Sequence, residues 1–119
     1  MITTAIFPAR YVQGNHAIRF LGEELSRLGR KALVMMGPVI FPKMQPLVEE
    51  YTRGTIEVYL ERFGGECCDR EIDRMVSLGQ SQQVDLIVGI GGGKTIDTAK
   101  ATAHHLRLPV AIVPTIAST

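Results

Sequence analysis

Hydrophobic and polar positions follow two different periods along this 119-residue chain. Short apolar runs bounded by glycine or proline predict strands, whereas apolar stripes at 3.6-residue spacing predict amphipathic helices. Strands are predicted at 31–36, 56–60, 85–90 and 110–114, after a short edge strand or extended arm within 2–12. Helices are predicted at 15–28, 43–53, 68–84 and 95–106, so strands and helices take turns along the chain.

Residues with special backbone preferences predict where several helices begin and end. Asn15 and Asp69 are suited to capping a helix N-terminus, and Gly29 is suited to the position just after a helix. Gly54 is expected to close the helix over 43–53, and Pro46 is tolerable only in the first turn of that helix.

Strands that alternate with helices of ten to fifteen residues are typical of an α/β fold with a parallel sheet. The runs at 31–36, 85–90 and 110–114 are apolar on both faces, so we expect helices on both sides of the sheet. Ligands bind at the carboxyl ends of the strands in such folds. We therefore expect the segments 37–38, 64–65, 91–93 and 114–115 to converge on one crevice.

The segment VDLIVGIGGGKTIDTAK (84–100) runs from a buried strand through three glycines and a lysine into a helix. Consecutive glycines allow the backbone N–H groups to approach an anion, and a helix N-terminus adds free N–H groups and a positive dipole end. Together with Lys94, the pattern predicts a phosphate or pyrophosphate site. The alternative is a tight turn in which glycine only permits backbone packing.

Neither of two familiar phosphate-binding patterns fits this loop. G-x-G-x-x-G begins at Gly89 and Gly91 but has Lys94 at its third glycine, and no acidic residue lies about twenty positions further on. The P-loop pattern fits Gly93 with Lys94 and Thr95, but it requires its first glycine at the position of Val88. The loop therefore belongs to another kind of phosphate site.

GIGGGKTIDTAKA (89–101) followed by PVAIVPTIAST (109–119) resembles the iron- or metal-dependent alcohol dehydrogenases, in particular the glycerol dehydrogenase branch. ARYVQG (9–14) and FGGECCDREIDRM (63–75) are similar to N-terminal segments of the same family. The resemblance implies that residues 1–119 are a Rossmann-like, NAD-binding domain. It also implies a C-terminal helical domain, absent from this chain, that holds zinc or iron and the substrate.

The resemblance assigns the site residues. Gly92, Gly93, Lys94 and Thr95 would hold the NAD pyrophosphate, and Asp97 would belong to the same motif in the first helical turn. Thr115 and Ser118 would contact the cofactor from the loop after the last strand. No catalytic or metal-binding residue is expected within the chain. The complete enzyme would oxidise glycerol to dihydroxyacetone with NAD, and related enzymes suggest a homo-oligomer.

Gly37 is the main departure from the family pattern within the chain. Relatives usually carry an aspartate there, at the end of the strand over 31–36, where it holds the adenosine ribose hydroxyls. Such a carboxylate repels a 2′-phosphate and so helps to select NAD over NADP. We therefore expect weaker affinity on the adenosine side and reduced discrimination between NAD and NADP.

Composition and residue spacing argue against several other kinds of protein and site. A net charge of +1, with charges spread evenly, argues against a nucleic-acid binder. No apolar run is long enough to span a bilayer, and we expect a cytoplasmic protein. Cys67 and Cys68 are expected to be reduced thiols, and the neighbouring His104 and His105 do not share one helix face for a metal.

Two other functions remain open from the sequence. The chain could be a stand-alone or truncated dinucleotide-binding module without catalysis. It could also be a phosphate-binding domain similar to dehydroquinate synthase, a lyase, although FGGE (63–66) and PTIAST (114–119) favour the glycerol dehydrogenase branch.

Overall fold

A computed structural model describes residues 9–11 and 17–115 as five strands, a short 3-10 helix and four α-helices. The strands are β1 (Ala9–Tyr11), β2 (Lys31–Met36), β3 (Glu57–Arg62), β4 (Leu86–Gly91) and β5 (Val110–Pro114). The 3-10 helix is Ala17–Phe20, and the α-helices are α1 (Leu21–Ser26), α2 (Phe41–Thr52), α3 (Asp69–Ser81) and α4 (Gly93–Leu106). The predicted α/β fold is confirmed.

The five strands form one parallel sheet in the order β1-β5-β4-β2-β3. The chain runs from β2 outward through α2 to β3, then returns to the other side of β2 as β4 and continues outward through α4 to β5. Because the connections after β2 and β4 leave in opposite directions, a crevice opens between these two neighbouring strands at their carboxyl ends.

Helices cover both faces of the sheet, as predicted. Alternate residues of β2 explain the two cores, since Val34 and Met36 pack on one face while Leu33 and Met35 pack on the other. The first core includes Leu21, Leu25 and Val48 from the side of α1 and α2, and the second includes Met75, Ala99 and Ala103 from α3 and α4. Strands β2 and β4 are buried on both faces, whereas β3 at the sheet edge is partly exposed.

The predicted roles of Gly29 and Asp69 at helix ends are wrong. α1 ends at Ser26, and Gly29 does not adopt the left-handed conformation of a helix-terminating glycine. Instead, glycine is required there because an added Cβ would lie 2.6 Å from the Asp85 carboxylate. Asp69 is the first residue of α3 rather than its cap; Cys68 holds the cap position, and no side-chain cap bond is formed. The predicted cap at Asn15 lies outside the described residues.

Helix α2 begins at Phe41, two residues earlier than predicted, so Pro46 lies inside the helix rather than in its first turn. The earlier start is favoured by Pro42 in the first turn and by the Phe41 N–H, which donates to the Gly37 carbonyl (3.0 Å). Gly54 follows this helix with φ of +80°, which confirms it as the closing residue.

Candidate cofactor-binding crevice

Four loops meet at the carboxyl ends of the strands and enclose a cavity of about 370 Å³. The parallel ladder extends past the strand ends, because Gly37 N–H donates to Ile90 O (3.0 Å) and Thr115 N–H donates to Gly91 O (3.0 Å). These bonds align the loops that follow β2, β4 and β5 at the same edge of the sheet. The predicted convergence is confirmed: the lining residues are Gly37, Pro38, Val39, Ile40, Phe63, Gly65, Gly91, Gly92, Gly93, Lys94, Thr95 and Thr115.

The glycines of the loop after β4 divide into two groups. Gly89 and Gly91 are needed by the fold, because an added Cβ would lie 2.6 Å from Ala99 Cβ in the first case and 2.9 Å from Thr95 Oγ1 in the second. Gly92 and Gly93 have no heavy atom within 4 Å of such a Cβ, and neither has a positive φ. The packing-turn alternative therefore explains Gly89 and Gly91 but gives no reason for glycine at Gly92 and Gly93.

The first turn of α4 presents free backbone donors to the crevice. The helix begins at Gly93 rather than at the predicted Thr95, and its first internal bond is donated by Ile96 N–H to Gly92 O (3.0 Å). The N–H groups of Gly93, Lys94 and Thr95 precede that bond and have no carbonyl partner within the helix. They lie at the positive end of the helix dipole, so this turn favours an anion.

Thr95 adds a hydroxyl at the floor of the crevice. The residue is 3% exposed, and its Oγ1 would lie 3.5 Å from a Cβ added to Gly37 and 2.9 Å from one added to Gly91, so the hydroxyl is next to two of the crevice loops. Two other threonines of α4 donate their hydroxyls one turn back, from Thr98 to Lys94 O (2.8 Å) and from Thr102 to Thr98 O (2.7 Å). Among residues 9–11 and 17–115, the Thr95 hydroxyl has no such bond, which leaves it available to a ligand.

Lys94 is an exposed cation at the mouth of the crevice. Its Nζ lies 2.9 Å from Oε2 of Glu66, and both side chains extend into solvent, with 64% and 73% of their area exposed. An ion pair this exposed contributes about 0–1 kcal/mol. The pair can therefore open when an anion competes for the ammonium group.

An ion-pair network holds the loop between β3 and α3 in place. The Gly64 N–H donates to Glu71 Oε2 (2.6 Å), and Arg74 donates to both Glu71 oxygens (2.7 and 2.9 Å) and to the Arg62 carbonyl (3.0 Å). The hydrogen bond from Arg74 lowers the pKa of Glu71, burial opposes that shift, and the Gly64 N–H supports it. The network fixes the segment that carries Gly65 and Glu66 to the crevice.

The opposite wall of the crevice is apolar and follows β2. Arg62 fixes this wall, because its Nη1 donates to the Pro38 carbonyl (3.0 Å) and its guanidinium stacks 4.9 Å from the Phe41 ring centre. Val39 is 89% exposed and lines the crevice. An exposed apolar side chain beside a polar, anion-favouring loop suits a ligand that has both a flat apolar part and a phosphate.

The structure brings together five of the seven predicted site residues: Gly92, Gly93, Lys94, Thr95 and Thr115. Asp97 is not among the lining residues. It is exposed and is the fifth residue of α4, so its predicted place in the first turn is wrong because the helix starts two residues earlier. Ser118 lies outside the described residues. The cofactor contacts of Asp97 and Ser118 stay predictions.

Sequence reasoning missed four residues of this region: Val39, Ile40, Phe63 and Glu66. Phe63 is buried at the base of the crevice, and Val39 forms part of its apolar wall. Glu66 belongs to FGGE (63–66), a segment that resembles the family but in which no site residue was predicted. Its pairing with Lys94 spans 28 residues, and no local pattern predicts such a contact.

The family resemblance implies a metal ion in the complete enzyme. Within 9–11 and 17–115, no group of three or more His, Cys, Asp or Glu side chains is arranged to hold a metal ion. His104 and His105 meet edge to face, with ring centres 6.4 Å apart. The described residues therefore do not fit a metal site. None of the described helices is both long and apolar enough to cross a membrane.

Comparison with known families decides the classification. The family model described as iron-containing alcohol dehydrogenase matches residues 8–119, nearly the whole chain. The chain belongs to this family. The resemblance inferred from the glycine loop and the segment after it is thus confirmed, and the dehydrogenase family is favoured over the dehydroquinate-synthase-like alternative.

Individual relatives are consistent with the family match. The chain is 50% identical to a glycerol dehydrogenase of Thermotoga maritima, covering 100% of this chain and 32% of the relative. It is 45% identical to a glycerol dehydrogenase of Escherichia coli, covering 94% and 31%. The crystal structure of a probable glycerol dehydrogenase from Sinorhizobium meliloti superposes with a TM-score of 0.80 at 39% identity, over 94% of this chain and 30% of that one. The chain thus spans about a third of the length of these relatives.

Proposed function

We propose that this chain is the cofactor-binding part of an NAD-dependent, metal-containing alcohol dehydrogenase that oxidises glycerol or a similar polyol. The observation that carries the proposal is the open space at Gly92 and Gly93 beside the first turn of α4. Glycine is found at two positions where the fold itself does not need it. A ligand that approaches the backbone from outside explains both.

The crevice residues would divide the cofactor between them. The N–H groups of Gly93, Lys94 and Thr95 would hold the pyrophosphate, with the Lys94 ammonium adding a charge-assisted bond. The apolar wall at Pro38 and Val39 would receive the adenine, and Thr115 would face the nicotinamide end. When bound, NAD supplies the chemistry by accepting a hydride from the alcohol carbon.

The remaining parts of the reaction are proposed from the relatives. Glycerol as substrate is proposed from the names of two relatives, the glycerol dehydrogenases of Thermotoga maritima and Escherichia coli. The metal, zinc or iron, and the residues that touch the substrate would lie in the region of those relatives that this chain does not span. The cytoplasmic location and a homo-oligomeric state also stay predictions.

The first experiment is an isothermal titration of NAD into the chain and into the variant Lys94→Ala. Loss of a charge-assisted phosphate contact should weaken binding by about 1–2 kcal/mol, roughly five- to thirtyfold. Lys100→Ala is the matched control, since it makes the same change further along the same helix, and it should bind like the unchanged chain. Equal affinity of all three would mean that the loop is a packing turn.

The lost carboxylate at Gly37 gives a second test. Gly37 lines the crevice, and an added Cβ would meet Thr95 Oγ1 at 3.5 Å and Ile40 Cγ1 at 3.6 Å, which are ordinary contact distances. Gly37→Asp should therefore fit, and it should raise the preference for NAD over NADP by about tenfold through repulsion of the 2′-phosphate. Gly37→Asn is the uncharged control of equal size. A strong preference for NAD in the unchanged chain would contradict the expected loss of discrimination.

A further inference from the structure

Charge at the crevice depends on one pair of side chains. Lys94 is the one cationic residue among the described residues that line the crevice, and its ammonium contacts the carboxylate of Glu66 at 2.9 Å. The positive charge available to a ligand is therefore already balanced by a negative charge of the same chain. What remains uncompensated is the set of N–H groups and the dipole of α4.

Glu66 lies opposite Lys94 in the loop between β3 and α3, and hydrogen bonds hold the backbone just before it. Gly65 has φ of +107°, a conformation that favours glycine, and lines the crevice directly before Glu66. The preceding Gly64 is bound through its N–H to Glu71, which Arg74 holds in turn. The backbone that leads to Glu66 is thus held by the same network that fixes the loop between β3 and α3.

We propose that Glu66 is a specificity-determining residue that selects phosphodiesters over ligands with a terminal phosphate. A terminal phosphate carries about −1.5 to −2 charges at pH 7, whereas each phosphate of a dinucleotide pyrophosphate carries a single negative charge. Repulsion by the Glu66 carboxylate grows with the charge of the ligand. The crevice then accepts a dinucleotide and discriminates against nucleoside diphosphates and free pyrophosphate. The inference rests on the proposed function of the crevice as a dinucleotide site.

The test compares Glu66→Gln with the unchanged chain by isothermal titration of three probes: NAD, ADP and inorganic pyrophosphate. Removing the carboxylate should tighten ADP and pyrophosphate by about fivefold or more and NAD by about twofold or less. The gain should shrink in 0.5 M salt, because exposed charges are screened.

A matched control variant is available on β3, the strand that precedes the loop carrying Glu66. Glu57 starts β3 at the opposite end of the sheet, is 70% exposed and pairs with Lys31 at 3.5 Å. Glu57→Gln therefore removes the same charge from a similar ion pair far from the crevice, and it should change none of the three affinities.

The outcomes separate the inference from the proposed function. Unequal gains that follow ligand charge support it, as does binding of the anions to Glu66→Gln when the unchanged chain binds none. Equal affinities or equal gains for all three probes, with NAD bound by the unchanged chain, overturn the inference alone. Weaker NAD binding by Glu66→Gln also overturns it, since Glu66 would then contact the ligand favourably. No binding of any probe by either protein overturns both proposals.

Discussion

The two ends of the central sheet differ in what binds their free backbone N–H groups. At the end where β2 begins, the carboxylate of Asp85 accepts the backbone N–H groups of Arg30 (2.9 and 3.1 Å) and Lys31 (2.9 Å). At the end where β4 finishes, Gly93, Lys94 and Thr95 line the crevice, and their N–H groups have no partner within their helix. One set of donors is bound by an anion of the chain, and the other is open to an anion from outside.

Glycine shows the same contrast. Gly29 sits at the closed end, where the space for a Cβ is filled by Asp85 at 2.6 Å and by Leu86 Cβ at 3.0 Å. Gly93 sits at the open end, where nothing lies within 4 Å. A glycine that the fold requires is explained by what already touches it. A glycine such as Gly93, with open space around it and no positive φ, is not required by the fold and leaves the backbone accessible to a ligand.

The largest expected effect comes from removing the anion at the closed end. Asp85→Ala leaves the N–H groups of Arg30 and Lys31 without their charge-assisted bonds and should lower the free energy of unfolding by about 2–3 kcal/mol. Urea denaturation measures the change. Asp73→Ala, at an exposed position on α3, should cost less than about 0.5 kcal/mol. A loss for Asp85→Ala no larger than the control's would show that the carboxylate does not hold this end together.

Replacing one glycine at each end by alanine should separate effects on stability from effects on NAD binding. Gly29→Ala forces a methyl group against the Asp85 carboxylate and should lower the free energy of unfolding by about 1–2 kcal/mol, with NAD affinity kept. Gly93→Ala should leave stability within about 0.5 kcal/mol and weaken NAD binding by about tenfold, because the methyl group hinders approach to the backbone. The comparison fails if Gly93→Ala unfolds the chain more easily or binds NAD unchanged.

Low pH should lower the free energy of unfolding by protonating Glu71, which holds the loop between β3 and α3 at the open end. This effect should be smaller than the two above. Because Arg74 and the Gly64 N–H hold the pKa of Glu71 below its ordinary value of 4.5, folding gains stability above that value and loses it as the pH falls further. Glu71→Gln should cost about 1 kcal/mol at pH 7 and much less at pH 3. Urea midpoints at the two pH values measure this, and a cost that does not depend on pH would exclude the carboxylate as its source.

The sequence was sufficient to predict the parallel sheet and the position of the crevice. Apolar runs such as 31–36 and 85–90 can be buried on both faces only in a covered parallel sheet, and its carboxyl ends then gather the glycine loops. Local geometry was harder to predict. The start of α4 at Gly93 depends on the backbone after Gly91, and this shift of two residues moved Asp97 out of the first turn.

Contacts between distant segments were beyond the sequence altogether. Asp85 with Arg30 and Glu66 with Lys94 join residues 55 and 28 positions apart, and neither follows from a periodic pattern. Gly29 shows the consequence, since its place after a helix predicted a helix-closing role, whereas a carboxylate from another strand is the reason for it. Such roles depend on tertiary packing, which propensity and spacing do not encode.

The most direct test of the open and closed ends is an NMR titration that follows the backbone amide signals while NAD is added. We expect saturable shifts of the amides of Gly92, Gly93, Lys94 and Thr95, with the amides of Arg30 and Lys31 unchanged. Shifts spread equally over both ends, or no shifts in a folded chain at millimolar NAD, would contradict the claim that the open end of the sheet is a dinucleotide site.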